Sequence, residues 1–450
     1  MKTAIRLFCA VLMLCAPALA DAQRYTFYQQ AKITDAAIGN LGANVFLCAP
    51  NPGGTGLSAG KVMLLDDAGS VIWQHQSGDE MLRCKVAASA DTRVCASISV
   101  ERGAPGVQPR TMLRAWVPSA APTPRPTYTI QLDPILDYTT HGVHVSRDGR
   151  WVVGWVHDPS VRLQIEVIDT FSTTRSSLTI NAGSLAYTES QLSDNGATLY
   201  LHSISEELAV HVRPDPGSAV CNSTRFPILW DMIVNGGNVA GQGLAQATGD
   251  THAGVAYNAT FADLRITYAK RGDWNYWPEA TYEWQEWFRI KTITDTAVPY
   301  PICAAVSPDG QTVAAGMISS AAGQGGLGIV DLAGLAVQPI TNWPPWTGCP
   351  PIVSSAVGSM PAYVGWNDVE FVSNSTLVTV CRSRGPQPKL GVYRKVAGSW
   401  TLTHSEQVDI TDQFSNQLRV SPHGRALVLS YGVASDGPLG SYLRVYEVAP

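Results

Sequence analysis

The stretch "VSPDGQTVAAG", residues 306–316, reads as a short strand, a tight turn and a second short strand. Pro308 fixes its own φ, Asp309 offers a side-chain acceptor and Gly310 tolerates a positive φ, which together favour a tight turn. Looser copies recur along the chain as "VSRDGRWVVGW" (145–155), "LSDNGATLYLH" (192–202) and "VSPHGRALVLS" (420–430). A hairpin that returns in this way predicts one structural unit used many times.

Eight copies align on the turn glycine, or on the residue that takes its place, at intervals of roughly 50–60 residues. These positions are Gly42, Asp91, Gly149, Gly196, Gly249, Gly310, Asn374 and Gly424. A second hairpin follows at a regular lag, for example "VMLLDDAGSVIW" (62–73). Four short antiparallel strands in each unit of this length are typical of a β-propeller blade.

In this register the sequence resembles the propeller repeats of the YVTN, TolB and quinoprotein type. The resemblance covers nearly all of residues 23–450 and is architectural, so it names no single family. It implies an all-β propeller of about eight four-stranded blades. Seven blades is the alternative, because residues 221–287 repeat least clearly.

The two ends of the repeat region suggest how the ring closes. The last unit stops one strand short, whereas "RYTFYQQ" (24–30) is an extra strand-like stretch before the first unit. We therefore predict that the N-terminal strand is the outer strand of the last blade, which removes two open sheet edges.

The N-terminus has the pattern of a cleavable signal peptide, over residues 1–22. Lys2 and Arg6 precede or flank a short apolar run, and Ala18-Leu19-Ala20 offers a small-x-small cleavage site. Residues 23–450 are expected to form a single propeller domain, secreted or periplasmic, with no membrane span. Charged residues make up 15% and the formal net charge is −5, which disfavours nucleic-acid binding.

Seven cysteines follow the signal peptide, so export makes disulfides an option and the odd count leaves at least one thiol unpaired. Cys84 and Cys95 flank a turn and are predicted to face each other across two adjacent strands. The alternative is that the thiols are small buried core residues.

Polar residues near one end of each innermost strand predict a binding site at a mouth of the central channel. Counting back seven or eight residues from the aligned turn positions selects them. The candidates are Arg83, His141, Glu189, Gln242, Trp366, Asn367 and Asn416. The alternative is a water-filled channel lining without a ligand.

The stretch "GDWNYWPEATYEWQEWFRI", residues 272–290, is a second candidate site. Indole rings beside carboxylates are a common way to hold sugar rings. Its possible aromatic platform comprises Trp274, Trp277, Trp284 and Trp287. The alternative is an insertion whose aromatic side chains pack on the blade beneath it.

Catalytic and cofactor signatures are weak. No nucleophile motif is present, and Glu189 with Asp35 or Asp368 is the only carboxylate pairing suggested for glycoside cleavage. Gly69 and Trp73 resemble the end of a quinoprotein repeat, but this pattern is too rare in the chain to predict a quinone. No cofactor and no metal site are predicted. His141 and His144, three apart on a strand, point to opposite faces.

The sequence therefore favours an exported binding or scaffold module whose site is the channel mouth. Its ligand would be extracellular or periplasmic, and both glycans and proteins remain open. The alternative is a propeller enzyme, a polysaccharide lyase or hydrolase, and less favoured is a quinoprotein-type dehydrogenase.

Overall fold

The computed structural model describes the following residues: 22–39, 44–51, 53–55, 59–104, 106–117, 125–132, 140–158, 162–180, 189–192, 196, 198–202, 207–212, 222–226, 239–246, 251–258, 263–270, 288–291, 299–309, 311–319, 325–331, 364–382, 389–407, 410–412, 417–421, 424–434 and 439–448. These residues form antiparallel sheets, and each sheet is built from strands that are consecutive in the chain. None of the described segments is a helix that is long and apolar enough to cross a bilayer.

The first five blades are four-stranded antiparallel sheets, numbered here in chain order from the first strand of each blade outward. Blade 1 contains β2 (Asp35–Ile38), β3 (Val45–Ala49), β4 (Lys61–Leu65) and β5 (Val71–Gln76). Blade 2 contains β6 (Glu80–Ala88), β7 (Cys95–Arg102), β8 (Arg110–Trp116) and β9 (Tyr128–Leu132). Blade 3 contains β10 (Thr140–Val145), β11 (Trp151–Asp158), β12 (Arg162–Asp169) and β13 (Thr174–Ile180). Blade 4 contains β14 (Glu189–Leu192), β15 (Thr198–His202), β16 (Glu207–His211) and β17 (Asn222–Phe226). Blade 5 contains β18 (Val239–Gln246), β19 (Thr251–Asn258), β20 (Asp263–Lys270) and β21 (Phe288–Lys291).

The last three blades complete the set. Blade 6 contains β22 (Pro299–Val306), β23 (Thr312–Ser319) and β24 (Gly325–Asp331). Blade 7 contains β25 (Val364–Ser373), β26 (Thr376–Arg382), β27 (Lys389–Val396) and β28 (Ser399–Gln407), and β25 also pairs briefly with β23. Blade 8 contains β30 (Gln417–Ser421), β31 (Arg425–Ala434), β32 (Leu439–Glu447) and β1 (Ala22–Gln29), with the short β29 (Ile410–Asp412) also on β31.

Eight strands contact one another in a closed ring, and these are the innermost strands of the eight blades. The order around the ring is β2, β6, β10, β14, β18, β22, β25, β30 and back to β2. The all-β propeller with about eight blades is therefore confirmed.

The N-terminal strand closes the last blade as predicted. β1 pairs antiparallel with β32, with Tyr25 opposite Val445 and Phe27 opposite Leu443. Both aromatic side chains also pack against an apolar cluster that blade 8 shares with blade 1. The closing strand is thus held both by its ladder of hydrogen bonds and by packing.

The turns of three blades repeat the same hydrogen bonds. In blade 3, Ser146 Oγ donates to Asp148 Oδ1 at 2.6 Å and accepts from the Trp151 N–H at 2.9 Å, while Gly149 has a φ of 75°. The turns at residues 89–94 and 307–312 make the equivalent contacts. In blade 2 the position of the glycine is taken by Thr92, with a φ of 56°. The sequence alignment, which placed Asp91 there, is wrong by one residue in this blade.

The hydrophobic core lies in the seams between blades. At the seam of blades 1 and 2, Phe46 and Trp73 pack on Trp116, with ring centroids 5.6–5.7 Å apart. All three side chains are buried, and each contributes about 1.5–3 kcal/mol by leaving water. Further apolar clusters of described residues join blades 2 and 3, 3 and 4, 7 and 8, and 8 and 1, so the innermost strands of these blades are held in fixed positions.

The predicted pairing of Cys84 with Cys95 is not observed. In the β6–β7 ladder Cys84 lies opposite Ser99 and Cys95 lies opposite Ala88, so the two thiols are four positions out of register. Cys48, Cys84 and Cys95 are buried free cysteines. For these three residues the alternative reading, small buried thiols in the core, describes the structure.

Candidate functional site: the central channel

The residues predicted at the channel mouth lie on innermost strands wherever the structure describes them. Arg83 is on β6, His141 on β10, Glu189 on β14, Gln242 on β18, and Trp366 and Asn367 on β25. Arg83 and His141 are described with their side chains, the other four through their backbone. Asn416 and the four tryptophans of the aromatic platform lie outside the described residues, so both sites stay predictions.

Arg83 and His141 form the described part of the predicted mouth. β6 and β10 are neighbours in the ring, and the Arg83 side chain is exposed. In the described part of the chain the Arg83 side chain makes neither a hydrogen bond nor an ion pair. The arrangement leaves an uncommitted guanidinium at this position.

His141 is 6% exposed, and its Nε2 atom has no hydrogen-bond partner. Burial, reinforced by the positive charges of Lys85 and Arg83, lowers the pKa of His141 to about 3. The imidazole is therefore neutral at physiological pH. A neutral ring beside a free guanidinium adds no charge of its own to this end of the channel.

Two aspartates on innermost strands make the same pair of hydrogen bonds, which we call carboxylate bridges. Asp35 Oδ1 accepts from the N–H of Ala36 at 3.0 Å, and its Oδ2 accepts from the N–H of Val86 in blade 2 at 3.1 Å. Asp368 Oδ1 accepts from the N–H of Val369 at 3.1 Å, and its Oδ2 accepts from the N–H of Leu418 in blade 8 at 3.0 Å. Each bridge ties one innermost strand to the next.

Arg419 on β30 links these two bridges. Its Nη2 lies 3.5 Å from Asp35 Oδ1 and its Nη1 lies 3.6 Å from Asp368 Oδ2. The same Nη1 donates to the Leu418 carbonyl at 2.8 Å. One cation therefore compensates two carboxylates that come from blades 1 and 7.

Glu370 lies two residues beyond Asp368 on the same face of β25. Burial and the negative charge of Asp368 raise the pKa of Glu370 to about 8, although Arg419 opposes the shift. Burial also raises the pKa of Asp368, against the effect of Arg419. The pair thus holds a proton near neutral pH, and that proton sits on Glu370.

His144 extends the polar lining toward blade 4. Its Nε2 shares a hydrogen bond of 2.7 Å with Ser190 Oγ, which also accepts from Trp155 Nε1 at 2.9 Å. Burial and the charges of Lys85 and Arg419 lower the pKa of His144 to about 3. This histidine is also neutral and serves as a hydrogen-bonding group between blades 3 and 4.

The described channel thus combines neutral imidazoles with charges of both signs. It can orient a polar ligand, and Glu370 can donate a proton. No group of three or more histidine, cysteine or acidic side chains suited to a metal ion occurs in the part of the chain that the structure describes.

Sequence reasoning missed Lys85, Glu370 and Arg419 as channel residues. Each is a charged residue with an apolar neighbour on both sides in an innermost strand, in "RCKVAA", "NDVEFV" and "QLRVS". A charge in that context is the signal that could have identified them, because both faces of such a strand pack on neighbouring blades.

Comparison with known proteins adds the fold and leaves the activity open. No protein-family model matches the chain, and no curated protein matches it in sequence. Among solved structures, Sqt1 from Chaetomium thermophilum is similar, with a TM-score of 0.52 and 13% identity over 96% of this chain and 100% of that one. A second Sqt1 structure from the same organism gives a TM-score of 0.51 and 12% identity over 95% and 98%.

A structure of the RRP9 WD40 repeats aligns over 96% of this chain and 99% of that one, with 12% identity and a TM-score of 0.44. The RRP9 structure is thus one of WD40 repeats. At these identities the Sqt1 likeness shows a β-propeller fold and nothing about function.

Proposed function

We propose that the protein is an exported binding or scaffold module whose ligand binds at the mouth of the central channel. The observation that carries this proposal is Arg83, an exposed cation on an innermost strand with no partner in the described part of the chain. The adjacent unpartnered Nε2 of His141 supports it. Polar groups left unsatisfied on a rigid frame are what a binding site needs before its ligand arrives.

The contacts of Asp35 and Asp368 fit a structural task better than the suggested pairing of one of them with Glu189 for glycoside cleavage. Asp35 and Asp368 each hold two backbone N–H groups, and both lie beside Arg419. Through these hydrogen bonds the two carboxylates join neighbouring blades. We therefore assign them a structural task and the free cation a binding task.

The ligand that suits a free guanidinium is a polar molecule with a negative group, because Arg pairs with carboxylates and phosphates in a bidentate manner. An acidic glycan and a carboxylate-bearing protein segment both satisfy this chemistry, and a protein partner is compatible with a propeller scaffold. The tryptophan stretch at residues 272–290 would add affinity for extended sugar chains.

Export and the relationship to the YVTN, TolB and quinoprotein repeats belong to the same proposal. The supporting observations are the signal-like residues 1–22 and the registered turns. The mass of the protein recovered from a secreting host tests the first point, since cleavage removes about the first 22 residues.

A second candidate is a propeller lyase or hydrolase, favoured by Glu370. A carboxyl group whose pKa is about 8 remains protonated at neutral pH, as a general acid must. Under this alternative, Glu370→Gln would abolish polysaccharide degradation. Under the binding proposal, no polysaccharide would be degraded and Glu370→Gln would still bind ligand.

The decisive experiment is a glycan-array and polysaccharide-degradation screen on the mature protein, followed by variants. Arg83→Ala should weaken binding of the ligand found by at least about tenfold, since a hydrogen bond to a charged group is worth about 1.5–3 kcal/mol. Combining it with His141→Ala should abolish binding. Trp274→Ala with Trp277→Ala should weaken polymeric ligands only.

Arg93→Ala is the matched control, since Arg93 is an exposed arginine of the same blade that lies on the turn between β6 and β7. It should bind as the wild type does. If the tryptophan variants lose all binding while the Arg83 and His141 variants lose none, the site is the aromatic platform and the channel proposal is wrong.

A further inference from the structure

Two cysteines from different blades meet at the seam between blade 1 and blade 2. Cys48 is on β3, the second strand of blade 1, and Cys84 is on β6, the innermost strand of blade 2. Their side chains belong to one buried apolar cluster, where Cys48 is 0% and Cys84 is 3% exposed. The fold brings them together although they are separated by most of blade 1 in sequence.

Short contacts show how close the two residues are. Cys48 Sγ lies 3.2 Å from the Cys84 carbonyl oxygen. Thr34 Oγ1 donates to the same carbonyl at 2.9 Å and lies 3.4 Å from Cys48 Sγ. The two thiols also share a side-chain hydrogen bond, so the sulfur atoms themselves are in contact across the seam.

Hydrogen bonds fix the strands of the seam next to Cys48 and Cys84. The Asp35 carboxylate bridge to Val86 lies one residue away from Thr34 and two residues away from Cys84. Asp35 itself is directly opposite Cys48 in the β2–β3 ladder. Backbone hydrogen bonds therefore hold Cys48 and Cys84 in place relative to each other.

We propose that Cys48 and Cys84 form an inter-blade disulfide when the chain folds in an oxidising compartment. The oxidant is a disulfide-carrying thiol compound such as glutathione disulfide. This inference does not depend on the channel site, and it replaces the pairing of Cys84 with Cys95 that the ladder register excludes.

The chemistry is two thiol–disulfide exchanges. The thiolate of one cysteine attacks the oxidant, which forms a mixed disulfide and releases one thiolate of the oxidant. The second cysteine then attacks the mixed disulfide at the protein sulfur and releases the second thiolate. The protein loses two protons and two electrons, and the oxidant disulfide is reduced to two thiols.

The timing follows from burial. Burial raises the pKa of the Cys84 thiol well above its usual value, and Cys48 raises it further. Since the thiolate is the reactive form, the native seam reacts slowly. The bond is therefore expected to form as blade 1 and blade 2 dock during folding, rather than by attack on the finished propeller.

The test is refolding of the full mature chain from urea in a glutathione redox buffer, with a parallel sample in dithiothreitol. Peptide mapping without reduction should find a Cys48–Cys84 linked peptide in the oxidised sample and in no other. The oxidised protein should melt several degrees above the reduced one, since a cross-link removes freedom from the unfolded chain.

Cys95→Ser is the matched control, because Cys95 is a buried cysteine of the same cluster that contacts neither Cys48 nor Cys84 in the β6–β7 ladder. It should keep both the linked peptide and the gain in melting temperature, whereas Cys48→Ser and Cys84→Ser should lose both. The wild-type protein refolded with and without reductant tests the proposal even if one of the variants does not fold. Linkage of Cys84 to any other cysteine, glutathione adducts alone, or alkylation of both Cys48 and Cys84 after oxidative refolding would overturn the proposal.

Discussion

Asp35 and Asp368 solve a problem that every innermost strand of a propeller has. Such a strand has a ladder partner on one edge only, so the N–H groups of its channel edge need other acceptors. A carboxylate that caps one of them also fixes the neighbouring blade, because the donor and the acceptor belong to different sheets. Arg419 compensates the negative charges of the two carboxylates.

Glu370 makes stability depend on pH in a specific direction. Its pKa is about 8 in the folded protein, compared with about 4.3 in an unfolded chain. Between these values the unfolded chain loses a proton that the folded protein keeps, so the free energy of unfolding falls as the pH rises. The glutamine side chain in Glu370→Gln is neutral in both the folded and the unfolded state, so this variant does not lose stability in this way as the pH rises.

We therefore expect Glu370→Gln to gain stability relative to the wild type as the pH rises from about 4.5 to 8.5, by a few kcal/mol. Asp368 and Arg419, which face Glu370, remain in both proteins. Urea unfolding at several pH values measures the difference. Glu406→Gln on the outer strand β28 is the control, and a constant difference across pH for Glu370→Gln would contradict the assigned proton.

At the scale of elements, the Ser-x-Asp turn stabilises the start of the second strand of a blade. Ser146→Ala removes the acceptor of the buried Trp151 N–H and the donor to Asp148. We expect a loss of about 1–2 kcal/mol in the free energy of unfolding, measured by urea denaturation.

Ser172→Ala is the matched control in the same blade, since Ser172 Oγ shares a hydrogen bond with Thr174 Oγ1 at an exposed turn. Its side chain also bonds Asp169, but this is the smallest of the contacts that shift the pKa of that carboxyl group. The Ser172→Ala variant should change stability by less than about 0.5 kcal/mol. If the two variants lose equal stability, the side-chain hydrogen bonds of Ser146 do not stabilise the folded protein.

The turns were predictable from sequence because their hydrogen bonds are local, and the channel set was predictable only in part. Counting back from each turn assumes regular strands, but β25 is irregular between Phe371 and Ser373, within the counted segment. Asp368 is the residue that matches Asp35 in its contacts, whereas counting selects Asn367. The contact of Cys48 with Cys84 was equally hidden, because no local pattern encodes which residues of neighbouring blades meet.

At the scale of the whole molecule, one strand closes the ring. Deletion of residues 1–30 removes β1 and leaves β32 as an open edge, and it also takes Tyr25 and Phe27 from the apolar cluster at the seam of blades 8 and 1. We expect the melting temperature to fall by about 10 °C or more. The open edge should also promote self-association.

Deletion of residues 1–21 is the control, since it leaves β1 intact. Calorimetry and size-exclusion chromatography compare the two proteins. If both truncations melt at the same temperature and remain monodisperse, the N-terminal strand is dispensable for closure. This feature was foreseeable from sequence, because a missing last strand and a spare first strand are complementary.

The pairing of β1 with β32 has a genetic consequence. Tyr25 and Val445 lie roughly 420 positions apart, and they form one ladder. A stop codon at position 439 removes β32 and the three residues that follow it. This deletes the only ladder partner of β1 and leaves one edge of β31 unpaired among the described strands. Loss of a few C-terminal codons should therefore be as harmful as loss of the segment that encodes β1, and variants at the two termini should compensate one another when the altered residues are partners in the ladder.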